Sequence, residues 1–348
     1  MVDRPRRKAK VLQPTKTKAA AAVPSMAGVA KERPLAEAHS RMREVPDDVG
    51  TTPRCGFIAL IGAPNVGKST LTNALVGNKV AIVSHKVQTT RVPLRGIASV
   101  DGSQLIFVDT PGIFAPRRRL DRAMVSSAWA GAQDADIVGL ILDAKHGIDP
   151  QTDVILDKLA NLQSPKILLI NKIDLVKKSL LLDIARRANG RTAFAATFMI
   201  SALTGDGVGD VKSWLAGHVP EGPWHYPEDQ ITNASLRQLA ADITREKVYL
   251  RLHQELPYQS TVETDKWQER QDGSIRIEQT IYVERESQRK IVLGKDGRTI
   301  KAIGMEARAE IAAMVEVPVH LFLLVKVREG WGDDRDRYRA MGLEFPKE

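Results

Sequence analysis

Four short motifs carry the side chains best suited to chemistry. Gly62, Ala63, Pro64, Asn65, Val66, Gly67, Lys68 and Ser69 fit GxxxxGK[ST], followed by Thr70, between an apolar run and a helical stretch. Glycines at these positions let backbone N–H groups turn inward on phosphates, and a helix N-terminus adds partial positive charge. Lys68 is placed to reach the β- and γ-phosphates, and the Ser69 hydroxyl to ligate Mg²⁺. Alone, this motif predicts only a nucleoside triphosphate. Asp109, Thr110, Pro111 and Gly112 close another apolar run, 47 residues after Gly62. An aspartate at the carboxyl end of a strand beside such a loop can hold Mg²⁺, and Gly112 lets its N–H approach a γ-phosphate.

Asn171, Lys172, Ile173 and Asp174 then follow KILLI. A carboxylate at 174 can accept from both N1–H and N2–H₂ of guanine, a donor pair that adenine lacks, so Asp174 selects GTP. Asn171 supports the base and the loop, while the stem of Lys172 covers the ring. Ser201 and Ala202 end the run AFAATFMI and suit a loop whose backbone meets guanine O6. The segment Gln88, Thr89, Thr90, Arg91 lies between the first two motifs, where a GTPase needs a mobile Thr to complete the Mg²⁺ shell. Thr90 is the reading preferred over Thr89, giving Ser69, Thr90 and Asp109 as the metal set. His85 reads as a solvated loop residue, and Arg117, Arg118 and Arg119 as a solvated face rather than an arginine finger. Ile113 stands where many GTPases carry a water-orienting Gln, and an apolar side chain cannot orient water.

These residues need a framework. FIALIG, LIFVDT, IVGLILDA, KILLINK and AFAATFMIS are near-continuous apolar runs, which suits strands covered on both faces and predicts a parallel α/β sheet. VPEGPWHYPED (219–229) reads as a linker. Beyond it the order is a helix with Leu236, Leu239, Ile243 and Leu250 on its apolar side, a hairpin around QDGS, a helix, the loop GKDG, a second helix and a strand. Gly294, Lys295, Asp296 and Gly297 between two helices of an α+β unit fit the GXXG loop of a KH domain, which binds single-stranded nucleic acid. Lys295 and Lys301 are candidate phosphate contacts, and Ile291, Val292, Leu293, Ile300 and Ile303 candidate groove residues. Asp296 stands where a basic residue is more usual.

The motifs GAPNVGKST, QTTR, DTPG, NKID and SAL, with LPY, VERE and the KH loop, resemble the Era family of ribosome-assembly GTPases over residues 56–340. The resemblance implies a Ras-like G domain (54–220), a linker (221–233) and a type II KH domain (234–348) that binds the 3′ end of small-subunit rRNA and serves the 30S subunit. It also implies a GTP/GDP cycle, a monomer, and cytoplasmic location with peripheral inner-membrane association. Asn65 is similar to the Asn with which potassium-activated GTPases hold a monovalent cation, which implies K⁺ beside Mg²⁺. The double-GTPase Der is disfavoured by the single P-loop, and a small-molecule kinase by NKID. The alternatives are a peripheral membrane signalling GTPase and a non-switching RNA-binding scaffold.

Composition sets the outer bounds. The chain has 348 residues, 43% hydrophobic, with 51 basic and 42 acidic side chains and a net charge of +9. Residues 1–50 hold 11 of the basic and 6 of the acidic residues, so +5 falls in a segment that reads as a disordered basic extension. A mitochondrial transit peptide is the minor reading of that segment, with a matrix location. No apolar run reaches the ~18 residues of a membrane span. The lone Cys55 excludes an internal disulfide and points to a reducing compartment.

Overall fold

The computed structural model describes residues 52–84, 89–91, 93–252, 260–330 and 334–346. The apolar runs form the strands β1 (Arg54–Ile61), β3 (Ser103–Asp109), β4 (Ile137–Asp143), β5 (Lys166–Asn171) and β6 (Ala196–Met199). They pair in parallel within a six-stranded sheet of order β2-β3-β1-β4-β5-β6. The edge strand β2 (Leu94–Val100) corrects the wholly parallel reading, because it runs antiparallel to β3. The cause is local: Asp101 and Gly102 take φ of 49° and 75°, the left-handed pair of a two-residue hairpin turn, which leaves no length for a crossover.

Helices α1 (Lys68–Val76), α2 (Arg119–Asp134), α3 (Pro150–Ala160), α4 (Lys178–Asn189) and α5 (Val208–His218) cover the two faces. Leu71, Leu75, Val211 and Leu215 bury one face against Ile58, Leu60, Phe107 and Leu169. Trp129, Ile155, Leu159 and Leu181 close the other over Ile61, Leu140 and Ile170. Having apolar side chains on both faces explains why the strands read as unbroken runs. It also sends the loops after β1, β3, β5 and β6 to one edge of the sheet, where α/β folds place ligands.

Residues 221–233 form a strap along this unit rather than a free tether. Gln104 Oε1 accepts the N–H groups of His225 and Tyr226 at 2.9 and 3.0 Å, and Ile97 N–H donates to Ile231 O at 2.9 Å. The second unit comprises α6 (Leu236–Arg251), β7 (Ser260–Glu269), β8 (Ile275–Val283), α7 (Glu286–Leu293), α8 (Arg298–Val315), β9 (Val319–Val327) and α9 (Arg335–Ala340). Its sheet has the order β7-β8-β9, with β7 antiparallel and β9 parallel to β8. Leu239, Ile243, Val248 and Tyr249 of α6 face the sheet. Leu250 is exposed, so the apolar row predicted through it turns one residue earlier, at Tyr249. Among the described residues no helix is long and apolar enough to cross a membrane.

The two units meet through the segment after α1. Glu246 of α6, almost fully buried, accepts Val83 N–H at 2.8 Å and Lys79 Nζ at 2.7 Å. Glu310 of α8 takes a second bond from Lys79 at 2.5 Å. Arg91, 2% exposed, donates to the Ser260 carbonyl at 2.8 Å and lies 5.8 Å from the Tyr249 ring centroid.

Candidate functional site

The four motifs converge on one cleft of about 390 Å³, lined by Asn65, Lys68, Ser69, Thr90, Gly112, Asn171, Asp174, Ser201 and Ala202 among others. Its floor is the turn from β1 into α1. Gly67 adopts φ +103°, and a Cβ there would stand 2.3 Å from Asn171 Nδ2, so only glycine fits. Lys68 is buried and donates to the carbonyls of Gly62 (3.2 Å) and Ala63 (2.9 Å), which holds its ammonium inside the loop. Burial pushes its pKa down to about 8, against the opposing pull of Asp109.

Ser69, Thr90 and Asp109 come together as the sequence reading expects of a metal set. Ser69 Oγ lies 2.8 Å from Asp109 Oδ2 and 3.0 Å from Thr90 Oγ1, and Thr90 Oγ1 donates to Asp109 Oδ2 at 3.0 Å. Thr89 turns away to Ser84, 2.7 Å between hydroxyls. Asp109 is fully buried, and its Oδ1 has no hydrogen-bond partner among the described residues. Burial raises its carboxyl, partly offset by Ser69, Lys68 and Thr90. An orphaned carboxylate oxygen costs about 1–3 kcal/mol, and a cation or its water would relieve that. One carboxylate with two hydroxyls suits Mg²⁺, which keeps waters and takes phosphate oxygens as its remaining ligands. Among the described residues no group of three His, Cys, Asp or Glu side chains offers an all-protein metal cage.

Asn171 ties the cleft's walls together. Its Nδ2 donates to Val66 O at 2.8 Å, and its Oδ1 accepts Ala202 N–H at 2.9 Å. Lys172, at φ +66°, donates to Asn65 O at 2.6 Å and to Asp143 Oδ2 at 2.8 Å. Burial acts to raise Asp143, but bonds from Lys172, the Lys145 N–H and His146 outweigh it and hold the carboxyl below its usual range. Asp174 is exposed at the cleft's rim, where its carboxylate can meet a base. Ile113 is buried in the core beneath α2, with its N–H on Gly62 O at 3.0 Å, so it cannot face an attacking water. Thr70 lies in the first turn of α1, and Thr110 donates to Leu60 O at 2.7 Å beside Pro111. Gln88, His85 and the LPY segment lie outside the described residues.

Sequence reasoning missed Asp143 and the cleft residues Ile82, Val83, Leu175 and Leu203. Asp143 had a signal, since it ends the strand β4 at the same sheet edge as Asp109. Leu203 and Leu175, 82% and 59% exposed, had none beyond adjacency to SA and NKID.

Between α7 and α8 of the second unit, Gly294 and Gly297 take φ of 73° and 72° around an exposed turn bearing Lys295 and Asp296. Asp296 itself has φ 53°, a conformation that aspartate tolerates better than most side chains. Ile291 and Lys301 are exposed beside it. Val292 and Ile303 are not groove residues: both are fully buried against β8 and β9, because helical periodicity turns them inward.

A GxxxxGKS loop lining the cleft, a buried carboxylate beside two hydroxyls and an exposed aspartate at the rim, on a doubly covered sheet joined to an α+β unit with a GXXG loop, are the features of a GTPase with an appended nucleic-acid-binding domain. The profile of the 50S ribosome-binding GTPases matches residues 57–172 and that of KH domains residues 255–332. GTPase Era of Bradyrhizobium diazoefficiens is 66% identical over 305 residues, covering 88% of this chain and 99% of its own. That of Brucella melitensis is 60% identical over 296 residues, covering 85% and 95%. A crystal structure of Era in complex with MgGDPNP and nucleotides 1506–1542 of 16S ribosomal RNA superposes with a TM-score of 0.79 at 34% identity, covering 83% of this chain and 99% of that one. An Aquifex aeolicus Era variant bound to GDP.AlF4⁻ gives the same score, identity and coverage. The chain belongs to the Era family, and it hydrolyses GTP.

Proposed function

We propose that this chain is a GTP-operated switch whose KH domain binds the 3′ end of small-subunit rRNA and assists assembly of the 30S subunit. One observation carries the reading. Thr90 reaches the Mg²⁺ set while the next residue, Arg91, is bonded into the second unit. Whatever seats or releases Thr90 therefore pulls on the domain that holds the GXXG loop. The Era relative crystallised with both MgGDPNP and 16S rRNA supports the same pairing of ligands.

The residues then take definite roles. The backbone N–H groups of the phosphate loop, Pro64 excepted, and Lys68 cradle the phosphates, and Asp174, with Asn171 behind it, selects guanine. Ser69, Thr90 and Asp109 would hold Mg²⁺, which would supply positive charge against the charge developing on the phosphates. Gly112 lines the cleft, where its N–H would meet a γ-phosphate, and loss of that phosphate would free the loop after β3. Ile113 leaves water orientation to another device, and Asn65, within the phosphate loop at φ 63° and lining the cleft, would recruit K⁺ there. Hydrolysis faster in KCl than in NaCl supports that role, and equal rates remove it. Ile291, Gly294, Lys295, Gly297 and Lys301 form the RNA contact surface.

Crosslinking in cells followed by sequencing of the bound RNA tests the proposal. It predicts reads concentrated at the 3′ end of small-subunit rRNA, and reads spread over unrelated RNAs would overturn it. A peripheral membrane role would rest on residues 1–50, which lie outside the described residues.

A further inference from the structure

We propose that the C-terminal segment 334–346 is a positioning element for GTP hydrolysis, gripping the helix that follows the DTPG loop and through it the loop itself. The proposal rests on the family's GTPase activity and does not require RNA binding.

The segment lies beyond β9 and beyond the matched KH region, which ends at residue 332. Its buried side chains do not join the two cores of the second unit. They build a separate one, in which Tyr338 (0% exposed) and Leu343 (4%) pack on Leu120, Ala123 and Met124 of α2, flanked by Met341 and Phe345. The Phe345 ring meets Tyr338 edge-on at 4.9 Å between centroids. Two guanidinium groups also approach that ring, Arg119 from α2 and Arg335 from α9, each 5.0 Å from its centroid. At its other end the segment is fastened to the KH fold, because Arg328, one residue past β9, donates to Asp334 at 2.6 Å.

The grip is transmitted to the active loop by backbone contacts already in place. Asp121, in the first turn of α2 beside Leu120, accepts the N–H groups of Arg117 and Arg118 at 3.0 and 2.9 Å. Those two residues end the loop that begins at Thr110. At the loop's start, Ile113 N–H is bonded to Gly62 O of the phosphate loop. α2 therefore holds the far end of the segment that carries Gly112 while the phosphate loop holds its start, and with a buried Ile at 113 backbone placement is what this loop contributes to the reaction. Docking of the tail coexists with Thr90 seated toward Asp109, the closed arrangement of the metal set.

The test is GTP hydrolysis by the full chain without RNA, under single-turnover and steady-state conditions, for Tyr338→Ala, Leu343→Ser, Leu343→Met and a truncation after Gly330. The expected result is a fall in kcat of about tenfold for the first two and the truncation, with KM and GDP affinity within about twofold, and near-normal turnover for Leu343→Met. Hydrogen exchange of the amides of residues 119–124 should quicken in the same variants. Unchanged or raised kcat would overturn the proposal. So would equal losses of kcat and GDP affinity in every variant, which would mark general structural support. Because no RNA enters the assay, failure here leaves the proposed RNA switch standing, and failure of that switch leaves this result readable.

Discussion

Asp174 sits exposed at the cleft's rim, three residues from the buried Asn171, and the contrast separates their tasks: one is placed to meet a ligand, the other holds the wall. Replacing Asp174 by Asn turns one of the two acceptor oxygens that guanine's N1–H and N2–H₂ require into an NH₂ donor. GTP affinity should fall about 100-fold, or ~2.7 kcal/mol, with ATP affinity unchanged, measured by competition with a fluorescent GDP analogue. Lys68 gives a pH dependence of definite sign. Burial holds its pKa at about 8 in the free protein, and bound phosphates raise it, so binding draws in a proton above that pH. Affinity for GDP is full below pH 8 and should weaken by up to about tenfold per unit above it. Calorimetry in two buffers of different ionisation enthalpy should detect the uptake at pH 9, and a flat Kd between pH 7 and 10 would contradict it. Both residues were legible in the sequence because their chemistry is local to a motif. Asp143 was not singled out, since its task is to hold Lys172, and a helper's partner is fixed by strand adjacency rather than spacing.

Elements that bury one stripe or two faces were legible, and those set by a turn or a neighbour were less so. The core strands announced themselves as unbroken apolar runs, and α8 spans the stretch RTIKAIGMEARAEIAAMV. Strand β2 went unread because its sequence, LRGIASV, is interrupted by a charge and a glycine, and its place follows from the Asp101-Gly102 hairpin. That glycine, Gly96, has a packing reason: a Cβ there would stand 2.7 Å from Val76 Cγ2. The GXXG loop was legible through its setting between two helices, and it offers a clean separation of functions. Gly294 has φ +73°, and a Cβ there would lie 2.2 Å from Thr299 Oγ1 and 2.9 Å from the Thr299 nitrogen. Gly294→Ala should therefore distort the loop, lowering RNA affinity at least about tenfold while leaving GTP hydrolysis within about twofold. Parallel loss of hydrolysis would show that the two units do not fold independently. Asn171→Ala is the counterpart in the other unit. It orphans Val66 O and Ala202 N–H, at about 1–3 kcal/mol each, and should lower the urea midpoint as well as nucleotide affinity.

Across the whole molecule, the contacts that join the two units had no sequence signature. Lys79, Val83 and Arg91 reach Glu246, Glu310, Tyr249 and Ser260 across more than 150 positions of chain, and nothing local to any of them foretells its partner. The +9 net charge gave a weaker guide than it first suggests, since +5 lies in residues 1–50, and the case for RNA rests on the loop at 294–297. Glu246→Gln keeps an acceptor for Val83 but removes the charge facing Lys79. It should leave GTP affinity unchanged and narrow the difference in RNA affinity between nucleotide states, because a switch transmits only what its two states bind differently. The central claim is that difference, and one measurement addresses it most directly: fluorescence anisotropy of an oligonucleotide from the 3′ end of 16S rRNA, titrated with the full chain in Mg²⁺ plus GDPNP and in Mg²⁺ plus GDP. The account predicts at least about tenfold tighter binding with GDPNP, lost in Arg91→Ala, and equal affinities in the two nucleotide states would contradict it.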